Sequence, residues 1–171
     1  MTDVPARLLP CPATTAGFRA LMARFPTGVA IVTTMDEQGH PWGMTCSSVC
    51  SVALTPPTLL VCLRSGSPTL RATLWRGGFA VNFLHERARP TAELFASGAP
   101  DRFDLVPWWL GAEACGPHLT EDALATADCR VAGTSEVGDH VVVLGTAVGI
   151  TDGLPRLPLL YGLRQYRSWP A

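Results

Sequence analysis

Lysine is absent from this sequence, and all 13 of its basic residues are arginines. The absence excludes a Walker-type phosphate-binding lysine, a Schiff-base lysine and the lysine of a Ser-x-x-Lys nucleophile. Any phosphate group bound by this protein must therefore be held by arginine side chains, by hydroxyl groups or by backbone N–H groups.

Runs of like charge are also missing, and the formal net charge is only −1. The chain therefore has neither the basic stripe typical of nucleic-acid binding nor a polybasic membrane patch. No apolar run approaches the roughly 18 residues of a membrane helix. Residues 1–12 carry an acid and prolines in place of the basic-then-apolar pattern of a signal peptide. We expect a cytoplasmic protein that binds neither nucleic acid nor membrane.

Several familiar site motifs are missing as well. The sequence contains no Gly-x-Ser-x-Gly elbow of a hydrolase and no Gly-x-Gly-x-x-Gly opening a Rossmann helix. Its four histidines lie far apart and lack a metal-ligand spacing, so we expect no metal site. Its six cysteines form no Cys-x-x-Cys pair, and we interpret them as reduced, structural residues.

The composition that remains supports one sizeable core. The chain has 171 residues, of which 47% are hydrophobic and only 16% charged. A chain of this length corresponds to about one domain. We expect a mobile N-terminal arm over residues 1–14 and a single domain over residues 15–171.

The order of short apolar segments favours a mainly β fold. Helical spacing is found over residues 15–25, 68–76 and 88–95. Strand patterns are found over residues 28–34, 41–45, 51–54, 58–63, 78–84, 127–132 and 141–150. Residues 97–117 show an irregular pattern. Many short strands with tight turns and few helices predict an antiparallel barrel with peripheral helices.

Three segments carry side chains suited to binding. Gly43–Ser48 places small and hydroxyl residues where a strand ends, so backbone N–H groups can approach a flat heterocycle or a phosphate. Arg64–Thr69 follows a strand and opens a helix, as a phosphate site would. His140 follows a Gly-Asp turn at the predicted barrel mouth. A polar hairpin exit explains the first segment at least as well, and an N-cap at Ser67 is compatible with a phosphate site in the second. A lone histidine is more often a surface or capping residue than a functional one.

Seven ordered blocks across residues 17–167 resemble the flavin reductase family of the FMN-binding split barrel. Within that family they are most similar to the short-chain reductases that serve monooxygenases. The blocks are Phe18-Arg19 with Phe25-Pro26-Thr27-Gly28-Val29, Gly43-Met44-Thr45 with Ser47-Ser48, Ser51 with Leu54 and Pro56-Pro57, Phe79-Ala80-Val81-Asn82 with Leu84, Phe95-Ala96 with Asp101-Arg102-Phe103, Gly138-Asp139-His140 with Gly145, and Pro158-Leu159-Leu160-Tyr161.

The resemblance implies a site, residue by residue. The segment that wraps the flavin in the family corresponds to Gly43, Met44, Thr45, Cys46, Ser47 and Ser48. The residues implied near the flavin phosphate are Arg64, Ser65, Ser67 and Arg102. His140 is implied to face the nicotinamide, Phe25 and Pro26 to border the pocket, and Tyr166 to match a nearby tail aromatic. This chain has Cys46-Ser47-Ser48-Val49 where many relatives have Ala-Asn-Ser-Phe, so the choice between FMN and FAD stays open.

The function implied by the resemblance is that of an NAD(P)H-dependent flavin reductase. Such a protein is a homodimer that reduces FMN or FAD with NADH or NADPH, and its reduced flavin diffuses to a separate monooxygenase. The flavin accepts the hydride itself, so no acid–base dyad is expected. Backbone N–H groups from Thr45 to Ser48 could stabilise the negative charge that forms on the ring.

Two alternatives remain open at the level of sequence. One is a flavoprotein that retains FMN and acts as an oxidase or monooxygenase on an organic substrate. The other is a non-catalytic flavin- or haem-binding module. Fold alone does not separate the three possibilities.

Overall fold

A computed structural model describes residues 12–169 of the chain, so most of the arm predicted over residues 1–14 lies outside the described part. The three helices of this part are α1 (Thr15–Met22), α2 (Pro68–Arg76) and α3 (Arg89–Ser97). Its strands are β1 (Thr27–Gly28), β2 (Ala30–Met35), β3 (Pro41–Cys46), β4 (Val49–Leu54), β5 (Pro57–Arg64), β6 (Gly78–Leu84), β7 (Trp108–Trp109), β8 (His118–Leu119), β9 (Ala123–Val137), β10 (His140–Asp152), β11 (Leu159–Gly162) and β12 (Gln165–Ser168).

The main sheet is antiparallel and has seven strands in the order β3-β2-β6-β9-β10-β5-β4. Strand β3 also contacts β5, so the sheet curls back on itself into a barrel. A second sheet has the order β1-β11-β12, and β7 pairs with β8. The predicted mainly β split barrel with a few peripheral helices is confirmed. None of the helices between residues 12 and 169 is long and apolar enough to cross a lipid bilayer.

Helix α2 has the bounds predicted from its sequence, because both of its ends carry strong local signals. The hydroxyl of Ser67 accepts a hydrogen bond of 3.2 Å from the N–H of Leu70, and Pro68 occupies the first turn. Gly77 ends the helix in the left-handed conformation with φ of 68°. The helix N-terminus is thereby fixed directly after β5, beside Arg64.

The β9–β10 hairpin is longer than predicted. The sequence predicted strands over residues 127–132 and 141–150, whereas the observed strands cover residues 123–137 and 140–152. Residues 133–136 are polar or small and resemble a loop, but they pair with the start of β10. Gly138 adopts φ of 58° in the two-residue turn, which brings His140 opposite Val137 and Arg64.

The core has two parts separated by β2, whose residues are all buried. Ala30 and Val32 face the barrel interior with Val61, Leu63 and Phe79, among others. Ile31 faces the opposite way, into a cluster with Leu84, Phe95, Phe103 and Leu159 beneath α3. Successive side chains of a strand point to opposite faces, so one strand supports both clusters.

Polar contacts hold the irregular stretch after α3 against the barrel. The buried Asn82 amide donates to the carbonyl of Pro117 at 3.2 Å and accepts from the N–H of Leu119 at 2.9 Å. The buried His118 ring bonds to the Asp128 carboxylate at 2.9 Å. These contacts satisfy buried polar groups and fix a segment that has little regular structure of its own.

Candidate active site

A cavity of about 350 Å³ brings together residues from three parts of the chain, and we call it the arginine cavity. Strand β3 contributes one wall, the β5–α2 junction a second, and α3 with the turn after it a third. Its lining residues are Trp42, Gly43, Met44, Thr45, Arg64, Ser67, Pro68, Thr69, Phe95, Ala96, Gly98 and Arg102. The predicted site residues Gly43, Met44, Thr45, Arg64, Ser67 and Arg102 thus line one cavity.

Arg102 is the unusual group in this cavity. Only 7% of the residue is exposed, and its guanidinium lies 5.7 Å from the Trp42 ring centroid and 5.9 Å from that of Phe95. One amino group donates to the carbonyl of Ala99 at 2.6 Å, but the buried Nε has no hydrogen-bond partner. No ion pair within residues 12–169 involves Arg102. Burial lowers its pKa from the ordinary value.

A buried cation without a carboxylate partner is an unfavourable arrangement for a folded protein on its own. Removing a charge from water costs several kcal/mol unless an opposite charge and hydrogen bonds offset the loss. The two aromatic rings offset part of this cost through cation–π contacts. The unpaired charge of Arg102 at the wall of this cavity therefore marks a place where an anionic ligand gains more than it would on the open surface.

Gly43 and Thr45 fix the β3 wall against α3. A Cβ atom at Gly43 would lie 3.1 Å from ring atoms of both Phe95 and Phe103, and 3.0 Å from the carbonyl of Val32. Because these neighbours are packed, glycine lets β3 approach the aromatic pair closely. The Thr45 hydroxyl donates to the carbonyl of Ala92 in α3 at 2.6 Å.

The second wall combines the free charge of Arg64 with the start of α2. Arg64 is exposed at the end of β5, and Ser67 is the half-buried N-cap of the helix. The N–H of Ser65 donates to the carbonyl of Asp139 at 2.9 Å, which ties this junction to the β9–β10 turn. Helix N-termini carry a partial positive charge, so Arg64 and α2 favour an anion on the same side of the cavity.

His140 lies at the rim, directly opposite Arg64 in the β5–β10 pairing. Its Nδ1 is 2.8 Å from a carboxylate oxygen of Asp139, and 45% of the imidazole is exposed. The hydrogen bond with His140 lowers the pKa of the exposed Asp139 carboxyl. The carboxylate holds one ring nitrogen, while no bond to Nε2 is formed within the described part of the chain.

The remaining predicted residues lie outside the arginine cavity. Cys46 is buried in the barrel core, whereas Ser47 and Ser48 are exposed where β3 ends. The Ser48 hydroxyl bonds to the carbonyl of Cys62 at 3.4 Å, two residues before Arg64, so this segment lies close to the end of β5. Ser65 is exposed beside the cavity.

Phe25, Pro26 and Tyr166 occupy a separate region at the small β1-β11-β12 sheet. Pro26 packs beside Gly162, and Phe25 is 64% exposed. Tyr166 lies 5.1 Å from the Tyr161 ring and 5.7 Å beneath the Arg89 guanidinium. Within one copy of the chain these residues line neither cavity described in this section.

A second cavity, of about 450 Å³, has a very different lining, and we call it the apolar cavity. It lies on the β4–β5–β10 side of the barrel and includes Ser47, Val49, Leu54, Leu59, Phe83 and Ile150 among its residues. Leu54 is 87% exposed and Ile150 is 75% exposed. Large apolar side chains at such exposure favour contact with another protein surface.

Two aromatic members of the arginine cavity, Trp42 and Phe95, were not predicted as site residues. Trp42 stands two residues before Met44, so strand periodicity alone places both side chains on the same face of β3. The Trp42 Nε1 donates to Asp36 at 2.8 Å, which fixes the ring that Arg102 contacts. No comparable sequence signal indicates that α3 brings Phe95 to the same place.

The other titratable groups do not form a competing site. His85 bonds to the carbonyl of Glu121, His118 to Asp128, and His40 lies beside Asp36. Across residues 12–169 no three histidine, cysteine or acidic side chains are grouped to hold a metal ion. Cys46, Cys115 and Cys129 are buried thiols, and burial raises the pKa of Cys129 to about 12, whereas Cys50 is exposed.

Comparisons with known proteins agree on one family. The family model described as "Flavin reductase like domain" matches residues 22–170. The chain is 50% identical over 157 residues to a flavin reductase (NADPH) of Lentzea aerocolonigenes, covering 91% of each chain. It is 34% identical over 149 residues to HsaB, the reductase subunit of a flavin-dependent monooxygenase of Rhodococcus jostii RHA1, covering 87% of this chain and 75% of HsaB.

A solved structure extends the similarity to three dimensions. SgcE6, an NADH:FAD oxidoreductase of Streptomyces globisporus C-1027 in complex with NAD and FAD fragments, has a TM-score of 0.84 with 32% sequence identity. The superposition covers 91% of this chain and 92% of SgcE6.

Proposed function

The chain belongs to the flavin reductase like family, and from this premise we propose that it is an NAD(P)H:flavin oxidoreductase that supplies reduced flavin to a separate monooxygenase. The observation that carries the proposal is the arginine cavity, in which the mostly buried charge of Arg102 has no carboxylate partner among residues 12–169. Its lining fits the phosphate of a flavin, because two arginines and a helix N-terminus converge where no lysine is available.

The β3 segment supplies the seat for the rest of the flavin. Gly43 to Thr45 line the cavity, and Ser48 bonds to the carbonyl of Cys62, two residues before Arg64 in β5. Small residues along this path let a flat ring approach the backbone, and exposed N–H and O–H groups can bond to its polar edge. Phe25, Pro26 and Tyr166 line neither cavity of the single chain, so we propose that they border the flavin site of the partner subunit in a dimer.

The main contribution of the protein to hydride transfer is to position the two cofactors. When bound, the flavin accepts a hydride from the reduced nicotinamide, so the chain need supply neither a general acid nor a general base. The task of the site is to hold donor and acceptor roughly 3–3.5 Å apart and to exclude water. His140 lies at the rim beside Arg64, and we propose that its imidazole contacts the nicotinamide dinucleotide and positions it over the flavin.

We further propose a homodimer. The face of α1 that the sequence predicted as apolar is exposed in the single chain, because Phe18, Leu21 and Met22 are between 45% and 60% exposed. The apolar cavity adds the exposed Leu54 and Ile150. Burial of such surface in a twofold dimer is the commonest way for a protein of this kind to remove it from water. Residues 15–171 then act as one domain of this dimer.

Steady-state kinetics with dialysed protein test this proposal. We expect NADH or NADPH oxidation to be nearly zero without added flavin, to rise with added FMN or FAD, to saturate in both substrates, and to yield hydrogen peroxide in air. If the purified chain instead retains one flavin per subunit through dialysis and hydroxylates an organic substrate unaided, the alternative of a flavoprotein oxygenase is correct.

A further inference from the structure

A third cavity adjoins the arginine cavity, and we call it the adenosine groove. It has a volume of about 420 Å³ and lies between the β2–β3 turn at residues 36–38 and the outer face of α2 at Arg71 and Trp75. Trp42 and Pro68 line both the groove and the arginine cavity, so the two spaces meet at these residues. A dinucleotide with one phosphate in the arginine cavity therefore has the groove directly beside it.

The side chains of the groove suit an adenosine phosphate. Trp75 is 57% exposed and has no aromatic partner within residues 12–169, so one indole face is free to stack on a base. Arg71 lies one helical turn before it, exposed, and forms no ion pair within the same part of the chain. A guanidinium in this position can bind a phosphate oxygen.

The opposite wall supplies acceptors for an amino group or for ribose hydroxyls. The Asp36 carboxylate is already occupied, because it accepts from Trp42 Nε1 and from the N–H groups of Gln38 and His40 at 2.8–3.0 Å. It therefore fixes the turn and the Trp42 ring. Glu37 uses one carboxylate oxygen to accept from the Gln38 side chain at 2.8 Å. The second oxygen is available to a ligand.

We propose that this groove binds the adenosine monophosphate half of FAD, so that the chain prefers FAD to FMN. The inference rests on the proposed function, because it requires the flavin phosphate to lie in the arginine cavity. The same chemistry is present in NAD(P)H, but the groove shares Trp42 and Pro68 with the arginine cavity, and no residue of β10, the strand that begins with His140, lines it. The position of the groove thus assigns it to the flavin dinucleotide.

Calorimetric titrations of FAD and FMN against wild-type protein and Trp75→Ala test the inference. Stacking of one base on an aromatic side chain predicts that the wild type binds FAD about tenfold more tightly than FMN. Trp75→Ala should remove most of this preference by weakening FAD alone. Leu74→Ala is the matched control, because Leu74 is an exposed apolar residue of the same helix that lies outside the groove.

The outcomes separate this inference from the proposed function. Equal affinity of the wild type for FAD and FMN, or equal weakening of both by Trp75→Ala, overturns the adenosine groove and leaves the reductase proposal intact. If Trp75→Ala raises the KM for NADH but leaves the ratio of the FAD and FMN affinities unchanged, the groove belongs to the nicotinamide dinucleotide. That result also overturns the inference. If the wild type binds neither flavin, the proposed function itself fails.

Discussion

The arginine cavity and the apolar cavity have similar volumes, about 350 and 450 Å³, but opposite linings. The first contains two arginines without carboxylate partners among residues 12–169, three hydroxyl side chains and the start of α2. The second contains mainly alanine, valine, leucine and isoleucine side chains, several of them exposed at the surface. The two cavities therefore call for different occupants.

In the proposed dimeric reductase, this difference would separate the surface for a charged nucleotide from the surface for a second subunit. A free guanidinium gains most from an anion, whereas exposed leucine and isoleucine gain most from burial against another apolar surface. The end of β3 joins the two regions, because Thr45 lines the arginine cavity and Ser47 lines the apolar cavity. A flavin that follows β3 would extend from one region to the other.

The largest expected effect concerns the apolar cavity. The double substitution Leu54→Glu and Ile150→Glu places two charges where we expect the dimer interface. An unpaired buried charge costs several kcal/mol, so the dimer dissociation constant should rise by more than about 100-fold. Sedimentation velocity should then report a monomer, while Leu105→Glu, at another exposed leucine, should leave the dimer unchanged. An 18.2 kDa wild-type monomer at micromolar concentration would contradict the assignment of the apolar cavity to a dimer interface.

The next largest effect concerns the arginine cavity. Arg102→Met removes a charged hydrogen-bond donor but keeps a side chain that can pack between Trp42 and Phe95. We expect flavin affinity to fall by roughly 10- to 100-fold, since bonds to charged groups contribute about 1.5–3 kcal/mol. The Tm of the ligand-free protein should stay equal or rise, because an unpaired buried cation is removed.

Arg156→Met serves as the control for that measurement, since Arg156 is exposed and lines neither cavity. Unchanged flavin affinity in Arg102→Met, or a large loss of Tm, would mean that Arg102 has a structural role and that the arginine cavity is not the flavin phosphate site.

A smaller effect is expected at the rim. His140→Ala should raise the KM for the nicotinamide dinucleotide about fivefold, the equivalent of about 1 kcal/mol for a half-exposed contact, and should change flavin affinity less. Steady-state kinetics and a separate flavin titration measure the two effects. Equal KM values in the variant and the wild type would reduce His140 to a turn residue.

The smallest effect is a pH dependence at the same turn. The bond with His140 lowers the pKa of Asp139, so this contact adds stability above the ordinary value of 3.8 and loses it as the pH falls through the lowered value. The Tm of Asp139→Asn should therefore lie slightly below that of the wild type at neutral pH, and the two values should converge once the pH falls below the lowered pKa of Asp139. A difference in Tm that persists in acid would mean that the loss of the His140 contact is not its cause.

The sequence predicted best those elements whose ends carry local signals. Strand β6 and helix α2 have their predicted bounds, because Ser67, Pro68 and Gly77 specify where the helix begins and ends. Helix α1 ends at Met22, before its predicted end near Pro26. The ends of β9 and β10 were missed, because residues 123–126 and 133–137 become strand only through pairing with β6 or with the facing strand of the hairpin. Such pairing is a tertiary effect that local propensity does not contain.

The candidate site was predictable in its segments but not in its electrostatics. Gly43 to Thr45, Arg64 and Ser67 stand at strand and helix ends, which the sequence indicates. Arg102 lies in an irregular stretch, and its burial against Trp42 and Phe95 depends on how α3 packs on β3. That it has no carboxylate partner between residues 12 and 169 is a property of the folded structure that no spacing in the sequence reveals.

The central claim is that reduced flavin leaves this protein and is used elsewhere. The most direct test uses two compartments under limiting oxygen, separated by a dialysis membrane that passes flavin but not protein. One compartment holds the purified chain, NADH or NADPH, and flavin. The other holds a flavin-dependent monooxygenase and its substrate. We predict hydroxylated product in the second compartment that depends on flavin and on the nicotinamide donor. Product formed only when the two proteins share a compartment would contradict the account.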